Sequence, residues 1–441
     1  MLDSTINILD ILGAIVLISI IIILSNWYKN SKIKEYPEYK YFTYGLITKI
    51  IGAVALAFIY VFYYGGGDTQ NYFIGAKHLA NSLFTEPYNY LRLLLLDNSE
   101  IPSDLLHITK NISYARASEE WFMIRITSII NILSFNRYLI SSITISLIAF
   151  YGGWKMFKSF IYFFPKYHKA AFISVFLLPS VIFWSSGILK DTITFAALGI
   201  FFYHFTKIFF KNKVSIISIL IILISGFIIF KLKAYIILGF MPALFVAIYI
   251  NTKDRIHNKV LKSILAPLLF IIIIATGYFL ISNIIESSNK YKVETLESRV
   301  HGFHSWHTTT GGSSYNLGKI EYTAIGIIKK IPAALNVTFF RPYLWEARNI
   351  TSLMGAIESS VLLILFLFVL WKNKLKLITV SFKNSLLALA FVYSIIFGFA
   401  VGFTSYNFGA LARYKVPVMP FFVFLLLYFY YSNKFNTKEQ N

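Results

Sequence analysis

The chain of 441 residues contains no cysteine, which excludes disulfide bonds, thiolate metal sites and cysteine nucleophiles. It is also poor in charge: Asp, Glu, Lys and Arg make up 14% of the residues, whereas a soluble domain carries about 25%. Hydrophobic residues make up 57%. The composition therefore excludes a soluble enzyme and indicates an integral membrane protein.

Acidic residues are the scarcer charged type, with 20 Asp and Glu against 41 Lys and Arg, and the formal net charge is +21 at pH 7. The basic residues occur in short clusters between apolar runs and not along one soluble face. Such clusters mark the cytoplasmic ends of membrane spans and contact anionic headgroups. We therefore expect membrane lipids as partners and no nucleic acid.

The apolar runs predict an all-α fold, a polytopic transmembrane bundle of about 11 spans that forms one integral membrane domain over residues 1–441. The basic clusters predict a multi-pass protein of the bacterial plasma (inner) membrane, with the N-terminus outside and the C-terminus cytoplasmic. If the amphipathic stretch 121–135 also crosses, the orientation downstream of it reverses. The predicted spans include 8–26, 42–64, 138–154, 172–184, 214–230 and 263–281.

Two long polar segments, 65–137 and 282–350, lie outside in this topology, and the unusual polar residues gather on that side. Both contain stretches with the spacing of interfacial helices, at 121–126 and 322–335. The second segment is a candidate lid, rich in Gly, Ser, Thr and His, in which His304 and His307 are candidates for binding sugar hydroxyls. These histidines lack nearby carboxylates, so no metal site and no cofactor is predicted.

Three carboxylates are candidate catalytic residues: Asp68, Asp191 and Glu346. Asp68 follows three glycines at the exit of the second span, where the backbone turns sharply and a ligand can approach closely. Asp191 lies beside Lys190 in a short connection at the membrane, where charges are costly and often functional. Glu346 lies among arginines and aromatic residues.

Basic and aromatic residues on the same side are candidates for substrate binding, since cations neutralise phosphate and aromatic rings stack on sugars. Lys231 and Lys233 have no acid nearby in the sequence, so we expect them to bind an anion. Glu358, inside the predicted span that follows the segment 282–350, needs a partner, which we expect to be Arg341 or Arg348. The substrate-binding candidates are Tyr72, Lys190, Lys231, Lys233, His304, His307, Arg341, Trp345, Arg413 and Lys415.

Four stretches resemble the GT-C superfamily of polytopic glycosyltransferases: GDTQNYF at 67–73, PSVIFWSSGILKD at 179–191, FRPYLWE at 340–346 and RYKVP at 413–417. The resemblance implies a polyprenyl-linked sugar donor, a glycan or lipid acceptor, reaction outside the cytoplasm and inversion at the anomeric carbon. It also implies Asp68 as general base or acceptor-orienting acid, with donor phosphate held by Lys190, Arg341, Arg413 and Lys415. The chain departs from the pattern because Asp68 stands alone and no soluble domain follows the spans.

Two alternatives stay open. A lipid-linked polysaccharide polymerase of the O-antigen (Wzy) type shares the span number, the large outer loops and the arginines. A transporter or flippase of lipid-linked sugars requires broken helices and charges near the middle of the membrane. We expect neither feature here, because the charged residues gather at one face.

Overall fold

The structure is a computed structural model that describes residues 5–252, 314–318 and 324–438. The chain forms two compact units. Unit 1 draws its residues from Met1–Ser159, Val175–Thr206 and Val214–Ala234, and unit 2 from Phe160–Ser174, Lys207–Lys213 and Tyr235–Asn441.

The described residues are helical throughout, apart from connecting turns and one isolated β-bridge between Ser314 and Asn407. Helices α2 and α10 each continue into a π-helical turn, at Ile59–Tyr63 and Thr206–Phe210. The helices before the first gap are α1 Ile8–Lys32, α2 Phe42–Phe58, α3 Asp68–Thr85, α4 Pro87–Leu95, α5 Leu106–Thr109, α6 Ser118–Leu133, α7 Tyr138–Phe163, α8 His168–Phe176, α9 Pro179–Trp184, α10 Lys190–Phe205 and α11 Ile216–Thr252. Those after it are α12 Ala324–Lys329, α13 Ile331–Phe340, α14 Ile350–Asn373, α15 Lys376–Ser381, α16 Ser385–Thr404, α17 Phe408–Tyr414 and α18 Met419–Lys438.

Seven helices in the described part of the chain are long and apolar enough to cross a membrane, or eight if the bent pair α17 and α18 is one span. This confirms a helical multi-pass membrane protein, but the described residues do not confirm the predicted count of eleven spans. The predicted span 263–281 lies outside the described residues. The seven helices are Ile8–Lys32, Pro37–Tyr63, Tyr138–Phe163, Lys190–Phe210, Ile216–Thr252, Ile350–Asn373 and Ser385–Thr404.

Several of the apolar helices are broken. The backbone of α11 leaves the helical conformation at Lys233, where φ is −155° and ψ is 74°. The predicted span 172–184 consists of two short helices, because Pro179 lacks an N–H and starts a new helix. The pair α17 and α18 is bent by 75°. The expectation of unbroken spans is therefore wrong.

Helix α6 contains the stretch predicted to lie at the membrane surface, and in the structure it packs into the core of unit 1. It runs along α3, and Trp121, Met123 and Ile124 are fully buried. Arg125 is accommodated because its Nη1 donates to the carbonyl oxygens of Leu94 and Leu96, at 3.1 and 2.9 Å. The 16 residues of helix α6 span about 24 Å, which is shorter than the ~30 Å hydrocarbon layer.

A close backbone approach fixes the turn that follows α9. A Cβ on Gly52 of α2 would lie 2.0 Å from the carbonyl oxygen of Ile182. Only glycine permits this contact, which brings α2 against α9. The segment from Ser185 to Lys190 is thereby held at a defined place in unit 1.

Candidate active site

Asp68 is the first residue of α3, after a turn built from three glycines. Gly65, Gly66 and Gly67 have φ angles of 68°, 144° and 128°, values that side chains with a Cβ rarely adopt. The turn delivers the carboxylate to the N-terminus of the helix, where the helix dipole favours negative charge. The glycines thus serve to place Asp68, as the sequence predicted.

Tyr114 holds the Asp68 carboxylate. Its Oη donates to Asp68 Oδ1 at 3.0 Å and accepts from Asn71 Nδ2 at 3.1 Å. Burial, with the charge of Asp68 adding to it, raises the pKa of Tyr114, so the phenol stays protonated and a donor. Tyr72, a predicted substrate-binding residue, is 1% exposed, and its ring meets that of Tyr114 edge-on at 5.2 Å.

Lys190 begins α10 and contacts two glutamates of α6. Its Nζ lies 2.8 Å from Glu120 Oε1 and 3.1 Å from Glu119 Oε2. Burial is the main cause of the raised pKa of Tyr114, and the charges of Asp68 and, more weakly, Glu120 add to it. We call Asp68, Asn71, Tyr114, Glu119, Glu120 and Lys190 the Asp68–Lys190 cluster.

This cluster contains three carboxylates and one ammonium group. Asp68 and Lys190, which the sequence picked out in separate motifs, are linked in the structure through the Tyr114 hydrogen bond to Asp68, the charge of Glu120 acting on Tyr114, and the ion pair of Glu120 with Lys190. The structure also shows that Lys190 is not an isolated cation waiting for phosphate. Glu119 and Glu120 were not selected from the sequence, although two acids in the first turn of a helix were the available signal.

Lys231 and Lys233 both have acidic partners, so the prediction that no acid lies nearby is wrong. Lys231 Nζ is 2.8 Å from Asp97 Oδ2, and Lys233 Nζ is 2.5 Å from Asp191 Oδ1. The acids lie 134 and 42 residues away in the chain, where local sequence cannot reveal them. Burial alone would raise the pKa of Asp97, but hydrogen bonds from Lys231 and Ser118 hold it below its ordinary value.

Asp191, a predicted catalytic residue, is enclosed in this second pair. The Asp191 and Lys233 side chains are 2% and 6% exposed. The pair lies at the break in α11, since Lys233 is the residue with the non-helical backbone. Asp191 therefore occupies a buried ion pair within the apolar part of unit 1.

In unit 2, Arg341 is bound by Glu346 and surrounded by rings. Its Nε donates to Glu346 Oε2 at 3.0 Å, and its Nη2 donates to Glu346 Oε1. The rings of Tyr315, Tyr343 and Phe408 have their centres 5.8, 5.7 and 5.3 Å from the guanidinium carbon. We call these five residues the Arg341 cage.

The Arg341 cage keeps Glu346 ionised and provides hydrogen-bond donors to both of its carboxylate oxygens. Burial alone would raise the pKa of Glu346, but the hydrogen bonds from Arg341 and from the Tyr343 N–H lower it. The Tyr343 N–H donates to Glu346 Oε2 at 2.8 Å. Arg341 and Glu346 were both predicted site residues, and the structure places them together as a pair.

The remaining predicted residues of unit 2 are placed as follows. Trp345 is 81% exposed. Arg413 lies partly buried in α17. Lys415 is 1% exposed, and its Nζ lies 3.5 Å from Glu358 Oε1. The prediction that Glu358 pairs with Arg341 or Arg348 is therefore wrong. His304 and His307 lie outside the described residues.

Sequence reasoning missed Lys49, which is fully buried in the middle of the span Pro37–Tyr63. Its Nζ donates to the Val181 carbonyl oxygen at 3.1 Å and to Ser185 Oγ at 2.6 Å. It also lies 4.3 Å from the centre of the Phe195 ring. The signal was a single lysine inside an otherwise apolar run, and it contradicts the expectation that charges gather at one face.

Within the described residues, no group of three or more His, Asp or Glu side chains is arranged to hold a metal ion. Comparison of the chain with known protein families, curated proteins and solved structures found no match.

Proposed function

We propose that the protein is a membrane glycosyltransferase that moves a sugar from a polyprenyl-phosphate-linked donor to a glycan or lipid acceptor at the extracytoplasmic face of a bacterial plasma membrane. The observation that carries this proposal is the Asp68–Lys190 cluster. It joins a partly exposed, oriented carboxylate to an ammonium group held by two glutamates. A transfer reaction that releases phosphate needs both a proton acceptor and a cation.

Asp68 is the general base in this proposal. The acceptor hydroxyl oxygen attacks the anomeric carbon while its proton passes to the Asp68 carboxylate. The bond between the anomeric carbon and the phosphate oxygen breaks, and the phosphate leaves with the electron pair. General base catalysis of this kind contributes about 10²–10⁴-fold in rate. Tyr114 orients the carboxylate through its 3.0 Å hydrogen bond.

Lys190 is the cation that meets the departing phosphate. It is shared between two carboxylates, and an incoming donor phosphate takes the place of one of them. Cations positioned at developing negative charge are often the largest contribution to such catalysis. Arg413, in unit 2, is a separate candidate for binding the donor phosphate, while the fork of Arg341 is engaged by Glu346.

The test is complementation in a strain that lacks the protein, with lipid-linked sugars and surface glycan measured by mass spectrometry. We expect Asp68→Asn, Lys190→Ala and Arg413→Ala to accumulate lipid-linked precursor and to lose glycan at normal protein levels. Asp104→Asn is the matched control, since Asp104 is an exposed acid of the same segment, paired with Arg92. Unchanged glycan in Asp68→Asn would overturn the assignment of the base.

A polymerase acting on lipid-linked polysaccharide would use the same cluster, because it also transfers a sugar from a polyprenyl carrier. The product separates the two activities. A transferase adds one sugar to each acceptor, whereas a polymerase yields a ladder of repeat units in the same mass spectra.

A transporter of lipid-linked sugars is the second candidate function, and Lys49 favours it. A charged side chain at the centre of a bilayer is expensive and marks transport pathways in many proteins. The breaks in α11 and between α17 and α18 are the broken helices that transporters use. If Lys49→Met abolishes glycan in the same assay while Asp68→Asn does not, transport replaces the transferase proposal.

A further inference from the structure

Tyr343 and Trp345 form an aromatic stack on the surface of unit 2. The ring centroids are 4.8 Å apart and the planes differ by 26°. Trp345 is 81% exposed, so its other face is open. A large flat apolar face is thus presented outward from a short turn, Leu344–Glu346.

The stack is fixed from beneath. Tyr343 Oη accepts from Asn336 Nδ2 at 3.1 Å, and the Tyr343 N–H donates to Glu346. The Arg341 guanidinium, held by both Glu346 oxygens, lies 5.7 Å from the centre of the Tyr343 ring. A surface prepared in this way loses little conformational entropy when a ligand binds.

The length of α14 favours a position of the Trp345 ring outside the hydrocarbon layer. Helix α14 begins at Ile350 and has 24 residues, a length of about 36 Å, whereas the hydrocarbon layer is about 30 Å thick. Lys372 marks the other end of this span. Trp345 precedes the N-cap Asn349, so we expect it to lie beyond the part of the helix that the lipid tails cover.

We propose that the Tyr343–Trp345 stack is a saccharide-binding platform. The face of an aromatic ring is negative, and it attracts the C–H bonds on one face of a pyranose. Arg348, two residues after the turn Leu344–Glu346, is exposed and offers hydrogen-bond donors for sugar hydroxyls. The inference deepens the proposed function by assigning a sugar subsite, and it rests on that function for the class of ligand.

The competing explanation is a tryptophan that anchors the helix end at the lipid headgroups. An anchor requires only an apolar side chain at the right depth, and the neighbouring Leu344, 52% exposed, meets that requirement too. A platform requires an aromatic ring in the stack. Leu344→Ala is therefore the matched control, and Trp371→Ala, at the opposite end of α14 and 67% exposed, is the second.

The experiment measures binding of free disaccharides to the full-length protein in lipid nanodiscs by saturation-transfer NMR. The probes are cellobiose, maltose, lactose and N,N′-diacetylchitobiose, which carry no phosphate and no lipid. We expect Trp345→Ala to weaken binding about tenfold or more, equivalent to ~1.4 kcal/mol. Trp345→Phe retains most of the binding, and both control variants bind as the parent protein does.

Two results overturn the platform. One is that no probe gives a signal that depends on Trp345. The other is that brominated lipid tails quench the fluorescence of Trp345, measured as the difference between the parent protein and Trp345→Phe. Such quenching would place the ring in lipid. Because the assay measures binding and not transfer, Trp345-dependent binding alongside normal glycan in Asp68→Asn would leave the platform standing and the transferase proposal overturned.

Discussion

The two units bind their carboxylates in different ways. In unit 1, Asp68 receives a hydrogen bond from a neutral phenol, while in unit 2 both oxygens of Glu346 are held by a guanidinium. A neutral partner orients a carboxylate without neutralising it, whereas a bidentate cation lowers its affinity for a proton. Asp68 is therefore oriented by a neutral donor, whereas Glu346 is fixed to a cation beside the Tyr343–Trp345 stack.

The buried ion pairs extend the comparison. Asp191 and Lys233 of unit 1 are 2.5 Å apart, whereas Glu358 and Lys415 of unit 2 are 3.5 Å apart. Both pairs are almost fully buried. Unit 1 thus contains the tighter pair, at the point where α11 leaves the helical conformation.

The largest effect is expected from breaking that tighter pair. Asp191→Asn leaves the Lys233 charge buried without its acid, which should lower the free energy of unfolding by about 3–5 kcal/mol. The double variant Asp191→Leu with Lys233→Met should recover most of the loss, because no charge remains to be compensated. Thermal unfolding in detergent measures both. A loss in Glu358→Gln as large as in Asp191→Asn would remove the distinction between the pairs.

The second-largest effect is expected from Tyr114→Phe, which is compared with Tyr343→Phe because each tyrosine contacts one of the two carboxylates. Tyr114→Phe removes a hydrogen bond to a charged group, with a net contribution of about 1.5–3 kcal/mol. If Asp68 is the base, glycan formation should fall about 10–100-fold, since ~1.4 kcal/mol is a factor of ten. Tyr343→Phe keeps the aromatic stack and the backbone contact to Glu346 and loses only the bond from Asn336, so glycan should fall much less than in Tyr114→Phe. Equal losses in both variants would contradict the separate roles of Asp68 and Glu346.

The smallest effect concerns pH. The pKa of Glu346 is lowered in the folded protein, so its pair with Arg341 stabilises the fold above the ordinary glutamate value of 4.5. That stabilisation is lost as the pH falls through the lowered pKa. The difference in melting temperature between the parent and Glu346→Gln should therefore be present at pH 6 and shrink toward pH 3. A difference that is the same at both values would show that the ion pair does not stabilise unit 2.

Composition and apolar runs were sufficient to predict the helical membrane fold, because a bilayer imposes helices of a minimum length. The three glycines before Asp68 correctly predicted a sharp turn of the backbone there. The broken helices were missed, even though Pro179 was a visible signal for one of them. Lys233 carries no such signal, because its backbone angles depend on tertiary contacts.

The partners of the charged residues were the least predictable part of the site. Lys190, Lys231 and Lys233 meet acids that are 42 to 134 residues distant in the chain. Only the tertiary fold brings these groups together, so each lysine looked unneutralised in the sequence. Arg341 and Glu346, by contrast, are five residues apart in the chain, so their pairing could be predicted from sequence proximity alone.

The order of the paired groups along the chain bears on how the protein enters the membrane. Helix α11 carries Lys231 and Lys233 inside an apolar segment of 37 residues, where each unpaired lysine at the helix centre would cost about 2.5–3.5 kcal/mol to insert. Their acids, Asp97 and Asp191, are synthesised earlier. When α11 leaves the ribosome, the acids that neutralise its two lysines are already part of the chain. Synthesis from the N-terminus thus provides both lysines with partners before they enter the membrane.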